Sequence, residues 1–520
     1  MEQSVDMVML NGNFMTNETG QDVHTAIAIS NSRIVAVGDG KDIQSFISGR
    51  TRVIDCKQFL VIPGFIDAHM HPFSIARNTT SVNCAHNNTN SVTGLVDLLR
   101  VKASETRLNE WILGHGYDEA LVEPPQKLDR SELDLVSCDH PIKLTDRSGH
   151  ITVLNSKAMQ LANINAETLD PMSGIIFRYD GSTTPSGVFL DCERFLKDRL
   201  GHTLDHRVFR DAMHNTNEHL IKYGITSVQD ASYTNGQSHW DTYVDLIESG
   251  AWKLKTTMMV GIDSIEQFKT KGMTFGSCHD RLRLGHTKII LGSTTGRLSP
   301  SQDELHYQVQ TSHDLGFPVA IHAVEWQAVQ AAAEVLGVLH DEKSISRHDR
   351  IEHCSEAPSA IIGTIARSQA MVVTQPGFLY WRHQRYKETV PEDMQPYIYP
   401  IPKFAENNIP YAFSSDAPVI DPNPWCGIDA ILNGRPPFYR GTLPTDAPLL
   451  SRLKAAIYPY TLGAAYSDNT HMEKGSITIG KKADLAMFPW SPGPHLPPPE
   501  SNYAILTVID GVVVHDDLPE

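Results

Sequence analysis

The residues best suited to chemistry are two histidines one position apart, His69 and His71, in the segment PGFIDAHMHP. On a β-strand, residues i and i+2 point to the same face, so both imidazoles can reach one metal ion. With 24 histidines in 520 residues, about one such pair is expected by chance, so the spacing alone is weak evidence. The stronger indication is that the pair ends an apolar strand, where barrel enzymes carry their catalytic groups.

Three further side chains with suitable chemistry also follow short apolar runs. His322 lies in PVAIHA, His353 follows RIE, and Asp416 follows YAFSS. Taken singly, each has an ordinary explanation: the histidines as core or surface residues, and Asp416 as an N-cap or turn residue. Taken together, imidazoles and a carboxylate at four strand ends form a nitrogen and oxygen ligand set suited to Zn²⁺ or a similar divalent ion.

The segments that must position these residues alternate between strands and helices. Apolar runs typical of buried strands recur through the middle of the chain, and helical segments between several of them end at glycines such as Gly224 and Gly337. About eight repeats of this alternation predict an α/β fold, a TIM-type (β/α)8 barrel. In such a barrel the C-terminal ends of the strands meet at one face.

The two ends of the chain follow a different pattern, with short β-rich segments separated by turn signals. Neither end is large enough to cover both faces of a sheet, so we expect residues 1–62 and 474–520 to form one small β-sandwich. The barrel then spans residues 63–473. It carries an insertion at about 73–208, which is too long for one crossover and is expected to pack over the barrel mouth.

The composition excludes several classes of function. The 44 Lys and Arg against 61 Asp and Glu give a net charge of −17, and without a basic run a nucleic-acid partner is not expected. The apolar runs fall short of the roughly 20 residues that cross a bilayer, and no secretory signal is visible. Seven cysteines without a CxxC pair indicate reduced thiols. We therefore expect a cytoplasmic protein that acts on a small molecule without a membrane partner.

The chain resembles the amidohydrolase superfamily of metal-dependent barrel hydrolases through four motifs in order: PGFIDAHMHP, PVAIHA, DRIEHCS and YAFSSDAP. It resembles the YtcJ-like branch more closely, through the segments GHGYDEA, LTDRSGHITVLNSKAM and KGSITIGKKADLAMF. The similarity covers nearly the whole chain, including the β-domain built from both termini.

The resemblance directs attention to Lys288, in LRLGHTKIIL. In many relatives a lysine ending the fourth strand is carboxylated by CO₂ and bridges two metal ions, so the resemblance implies an N6-carboxylysine here. Without it, a lysine whose ammonium reaches solvent is the simpler interpretation. The branch commonly has an Asp-Gly pair a few residues later, whereas this chain has LGST at 291–294, a departure that bears on the local loop and on substrate choice.

The resemblance implies one or two divalent ions, expected to be Zn²⁺, held by His69, His71, Lys288, His322, His353 and Asp416. Asp416 is expected to take a proton from water and to return it to the leaving group, as general base and then acid. His150 and Tyr117 are candidates for polarising the scissile carbonyl or orienting the substrate, with surface-loop residues as the alternative. Trp381 and His383 are candidates for lining the mouth, with packing as an equally good alternative.

The predicted function is hydrolysis of an amide-type C–N bond in a small molecule. The same metal site also suits lactone or ester hydrolysis, deamination, or metal-assisted C–C cleavage, because one fold hosts many chemistries. A degenerate barrel used only for binding is a further alternative, against which the complete ligand set argues. Dimers are common in the family, so a homodimer is left open.

Overall fold

The computed structural model describes residues 5–16, 23–85, 88–118, 128–171, 174–201, 206–293, 297–342, 348–434, 447–491 and 496–519. The chain divides into two compact units. The first comprises Met1–His71 and Asn217–Glu520, and the second comprises Pro72–Thr216.

Eight parallel strands form the centre of the first unit. In chain order they are β1 (Phe65–Met70), β2 (Ile225–Asp230), β3 (Lys255–Gly261), β4 (Leu282–Ile290), β5 (Val319–Ala323), β6 (Arg350–His353), β7 (Met371–Thr374) and β8 (Tyr411–Phe413). Each strand pairs with the next in this order, and Cys278–His279 pairs with the edge of β4.

The chain just beyond β8 closes the sheet against β1. The Asp416 amide donates to the His69 carbonyl at 2.8 Å, and the His71 amide donates to the Ala417 carbonyl at 2.8 Å. The Asp67 carboxylate reinforces this junction, because it accepts hydrogen bonds from the amides of Ser415 and His69, each at 3.1 Å. The predicted α/β barrel is therefore confirmed, and its closing hydrogen bonds involve His69, His71 and Asp416.

Apolar residues predominate in most of the barrel strands, which are covered on both faces. Every residue of β1, β2 and β6 is buried, as expected for parallel strands between a barrel interior and surrounding helices. Gly64 precedes β1, and a Cβ atom there would lie 2.2 Å from the Thr226 side chain. Glycine thus permits β1 and β2 to approach closely at this point.

Helices connect or follow the barrel strands, and one of them continues through Gly337, where the sequence wrongly predicted its end. After His206–Lys222, which precedes β2, they span Gln237–Glu248, Ile265–Thr270, Gln302–Asp314, Trp326–Glu342, Ser359–Ser368, Gly377–Thr389, Ile401–Glu406, Pro424–Asn433, Leu449–Ile457 and Leu462–Ser467. Among the described residues, no helix combines the length and the apolar character needed to cross a membrane.

Strands from the two ends of the chain pair with each other in the first unit. One six-stranded sheet contains, in spatial order, Val23–His24, Asn13–Met15, Leu60–Pro63, Leu485–Phe488, Leu506–Ile509 and Val512–Asp516. A four-stranded sheet contains, in spatial order, Arg33–Gly38, Ala26–Ser30, Met7–Leu10 and Arg52–Asp55. One apolar cluster, including Met9, Phe14 and Leu485, joins the two sheets. The domain boundaries 1–62, 63–473 and 474–520 stay predictions.

The second unit, Pro72–Thr216, has its own sheet and contains the insertion predicted at about 73–208. Its strands are, in spatial order, Ile175–Arg178, Pro185–Leu190, Ile151–Leu154, Ile142–Asp146, Ile112–Tyr117 and Val82–Asn83. Its helices span Pro72–Thr79, Val92–Glu105, Arg130–Asp134, Ser156–Leu161 and Glu193–Leu200. Ser91 caps one of them by accepting a hydrogen bond from the Gly94 amide.

Candidate metal centre

The two histidines at the end of β1 face the carboxylate that follows β8. His69 is the fifth residue of β1, and His71 comes directly after the strand. The Nε2 atoms of His69 and His71 lie 3.5 Å and 3.2 Å from the same oxygen, Asp416 Oδ1. The predicted HxH pair therefore converges on the predicted acid.

Asp416 is held in place by its backbone. It is buried, and its φ of 60° is in the left-handed region, which non-glycine residues seldom adopt. Such a conformation costs on the order of 1–3 kcal/mol and is characteristic of functional sites. Burial raises the pKa of this carboxyl, but the hydrogen bond from His71 and the charges of His353 and His69 outweigh burial and leave the pKa well below its usual range.

His353 and His322, at the ends of β6 and β5, complete the cluster. The ring centroids of His322 and His353 are 4.5 Å apart, and those of His69 and His353 are 4.7 Å apart. One ligand atom from each of His69, His353 and Asp416 lies within 4.8 Å of the others. The structure thus brings all four predicted histidines and Asp416 together.

Three of the imidazoles have Nδ1 hydrogen-bonded to an oxygen outside the cluster. The pairs are His69 Nδ1 with Glu352 Oε2, His71 Nδ1 with Ser232 Oγ at 3.0 Å, and His353 Nδ1 with Gln375 Oε1 at 3.0 Å. Because the carboxylate and amide oxygens are acceptors, Nδ1 of His69 and of His353 carries the proton and Nε2 keeps its lone pair. His353 Nε2 is buried without a hydrogen-bond partner. A buried lone pair without a donor is suited to bind a metal cation.

Lys288 contributes a second unpartnered nitrogen from β4. It is paired in register with Ala320, two residues before His322, so Lys288 and His322 share one face of the sheet. Its Nζ is buried and has no hydrogen-bond partner. Burial lowers the pKa of Lys288 to about 8, although the charges of Glu352 and Asp416 act in the opposite direction. A neutral amine, which carboxylation requires, is therefore accessible near neutral pH.

The predicted substrate-binding residues lie elsewhere in the chain. His150 and Tyr117 belong to the second unit. There, His150 Nδ1 lies 2.6 Å from Asp191 Oδ1, and Tyr117 belongs to an apolar cluster. Trp381 and His383 lie on the helix after β7, and both side chains are exposed. Their roles in substrate binding stay predictions.

Glu352 and Arg350, the charged pair inside β6, were not among the residues predicted from the sequence. Arg350 Nε donates to Glu352 Oε1 at 2.7 Å, and Arg350 Nη2 donates to Glu352 Oε2 at 3.0 Å. Burial raises the pKa of Glu352, but Arg350 and Lys288 outweigh it, so the pKa lies below its usual range. Opposite charges two positions apart in the motif DRIEH were the available signal, because on a strand they share one face.

The profile of the amidohydrolase family matches residues 52–515 of the chain. The chain belongs to the amidohydrolase family. The N-substituted formamide deformylase of Arthrobacter pascens is 23% identical, and the similarity covers 95% of each chain. The putative amidohydrolase YtcJ of Bacillus subtilis is 23% identical over 497 residues, covering 91% of this chain and 92% of the relative.

Solved structures share the fold. An uncharacterised metal-dependent hydrolase from Pyrococcus horikoshii OT3 superimposes with a TM-score of 0.75 at 20% identity, covering 95% of this chain and 99% of the other. At this identity the likeness shows the fold alone. Family membership confirms the resemblance inferred from the motifs and the prediction that the chain is an amidohydrolase.

Proposed function

We propose that this amidohydrolase cleaves an amide-type C–N bond in a small molecule, with Asp416 as general base and then general acid. The observation that carries the proposal is the position of Asp416 Oδ1, which lies within 3.5 Å of the Nε2 atoms of His69 and His71. The similarity to a relative named as an N-substituted formamide deformylase supports an amide-type bond.

We further propose that the site holds Zn²⁺, as one or two ions, with Lys288 as an N6-carboxylysine in the two-ion form. The residues that would hold the ions are His69, His71, His322, His353, Lys288 and Asp416. When bound, such an ion polarises a carbonyl and lowers the pKa of water. The unpartnered His353 Nε2 and Lys288 Nζ support this assignment, because buried polar atoms without partners are rare.

The protein residues carry the proton transfers. Asp416 takes a proton from the attacking water at one carboxylate oxygen and delivers it to the leaving nitrogen, so one group serves both half-steps. Its backbone bond to the His69 carbonyl fixes it beside the histidines while the carboxylate changes protonation. A homodimer and a cytoplasmic location remain predictions, and so does the absence of nucleic-acid and membrane partners.

The test combines a substrate panel with one substitution. The purified metal-loaded protein is assayed on matched amides, esters and lactones by product analysis, with ammonia release reporting deamination. We expect Asp416→Asn to keep a bound metal and to lose about 10²–10⁴-fold in kcat, the usual contribution of general acid–base catalysis. Asp421→Asn, five residues further on, is the matched control and is expected to retain activity.

Two results would contradict the proposal. Near-normal turnover of Asp416→Asn would remove this carboxylate from proton transfer. If the protein hydrolyses esters or lactones but no amides, the proposed catalytic site stands and its reaction is ester or lactone hydrolysis.

A further inference from the structure

The outer partner of His69 differs in charge from the outer partners of His71 and His353. His71 contacts the neutral hydroxyl of Ser232, and His353 contacts the neutral amide of Gln375. His69 instead donates from Nδ1 to the carboxylate of Glu352, which is fully buried. The proposed ligands are therefore not equivalent.

Arg350 fixes the position of Glu352. Two guanidinium nitrogens contact the two carboxylate oxygens at 2.7 Å and 3.0 Å, the fork geometry that holds a carboxylate in one orientation. Arg350 Nη2 also donates to the Ala68 carbonyl at 2.8 Å, one residue before His69. Arg350, Glu352 and the imidazole of His69 thus form a continuous buried row between β6 and β1.

A carboxylate that accepts the Nδ1 proton makes the opposite imidazole nitrogen a stronger electron donor and locks the ring orientation. A hydroxyl or amide partner does this less, because hydrogen bonds to a charged acceptor are roughly twice as strong. We propose that Glu352, held by Arg350, is a positioning residue that makes His69 a stronger ligand than His71 or His353 and so controls how long the site retains its metal ion. This inference rests on the proposed metal site and not on the identity of the substrate.

The experiment measures the release of Zn²⁺ from the loaded protein to a chromogenic chelator. We expect Glu352→Gln to release the ion about 10- to 100-fold faster than wild type, the usual effect of losing such an outer partner. Ser232→Ala, which removes the neutral partner of His71, is the matched control and is expected to have a smaller effect. In the Co²⁺-substituted proteins, Glu352→Gln is expected to shift the visible absorption bands more than Ser232→Ala does.

Three outcomes would overturn the inference. They are release of Zn²⁺ from Glu352→Gln at the wild-type rate, an effect of Ser232→Ala on release as large as that of Glu352→Gln, and a Co²⁺ absorption spectrum that Glu352→Gln leaves unchanged. If Glu352→Gln does not fold, Glu352→Asp is measured in the same way. This variant keeps the carboxylate on a shorter side chain, and release of Zn²⁺ at the wild-type rate would then refute the inference. The proposed function is tested separately, because metal release requires no substrate. Amide hydrolysis by the wild type with unchanged release from the variant would remove this inference alone.

Discussion

Replacing Arg350 with methionine should lower the free energy of unfolding far more than the loss of a surface salt bridge would. Arg350 is fully buried. Its guanidinium contacts Glu352 through two nitrogens, donates to the Ala68 carbonyl, and hydrogen-bonds to the side chains of Gln229 and Ser467. Methionine fills part of the same volume but leaves the Glu352 carboxylate buried without its cation.

The expected magnitude follows from that uncompensated charge. Removing one partner of a buried ion pair costs about 3–5 kcal/mol, a large part of the ~5–15 kcal/mol that typically separates folded from unfolded states. The double variant Arg350→Met/Glu352→Gln removes both charges. The stability lost by the two single variants, added together, should therefore exceed the stability lost by the double variant by about 2 kcal/mol or more. Glutamine still offers His69 Nδ1 a neutral acceptor.

The assay is urea unfolding of the metal-free proteins, since a bound ion would add its own stabilisation. Tryptophan fluorescence reports the barrel through the buried Trp252 and Trp425, and circular dichroism must give the same midpoint for the free energies to be comparable. A loss below about 1 kcal/mol in Arg350→Met, or strict additivity in the double variant, would refute the reasoning.

Two further predictions concern Lys288 and the ion pairs of Asp510. Lys288→Ala should lower the metal content, measured by elemental analysis, to one ion or fewer per chain, and two retained ions would exclude a lysine bridge. Asp510 pairs with Lys255 at 2.9 Å and with Lys482 at 3.3 Å. Burial raises the pKa of Asp510, but the charges of Lys255 and Lys482 lower it by more, so the pKa lies below its usual value. Its contribution to stability is thus complete above the unfolded-state pKa of about 3.9 and is lost as pH falls through the folded value. Asp510→Asn should therefore show a shallower loss of stability in acid than wild type, and parallel acid curves would exclude this contribution.

The barrel was predictable because its signals are local. A buried parallel strand is a short apolar run, and the apolar run Met371–Thr374 is a strand with the same bounds in the structure. The strand ends were harder to predict. The apolar run Leu284–Leu291 predicts a strand with those bounds, whereas the strand spans Leu282–Ile290, because the last hydrogen bonds depend on neighbouring strands. His150 and Tyr117 show the other limit, because their sequence motifs do not specify which unit of the fold contains them.

The sequence by itself determined that His69, His71, His322, His353 and Asp416 belong at one face, since parallel strands present their C-terminal ends together. Only the tertiary structure decided which nitrogen of His69 points inward, because that depends on Glu352, 283 positions away. Strand periodicity is a property of neighbours in the chain. A hydrogen bond depends on distance and angle in space, and chain closure around the barrel sets both.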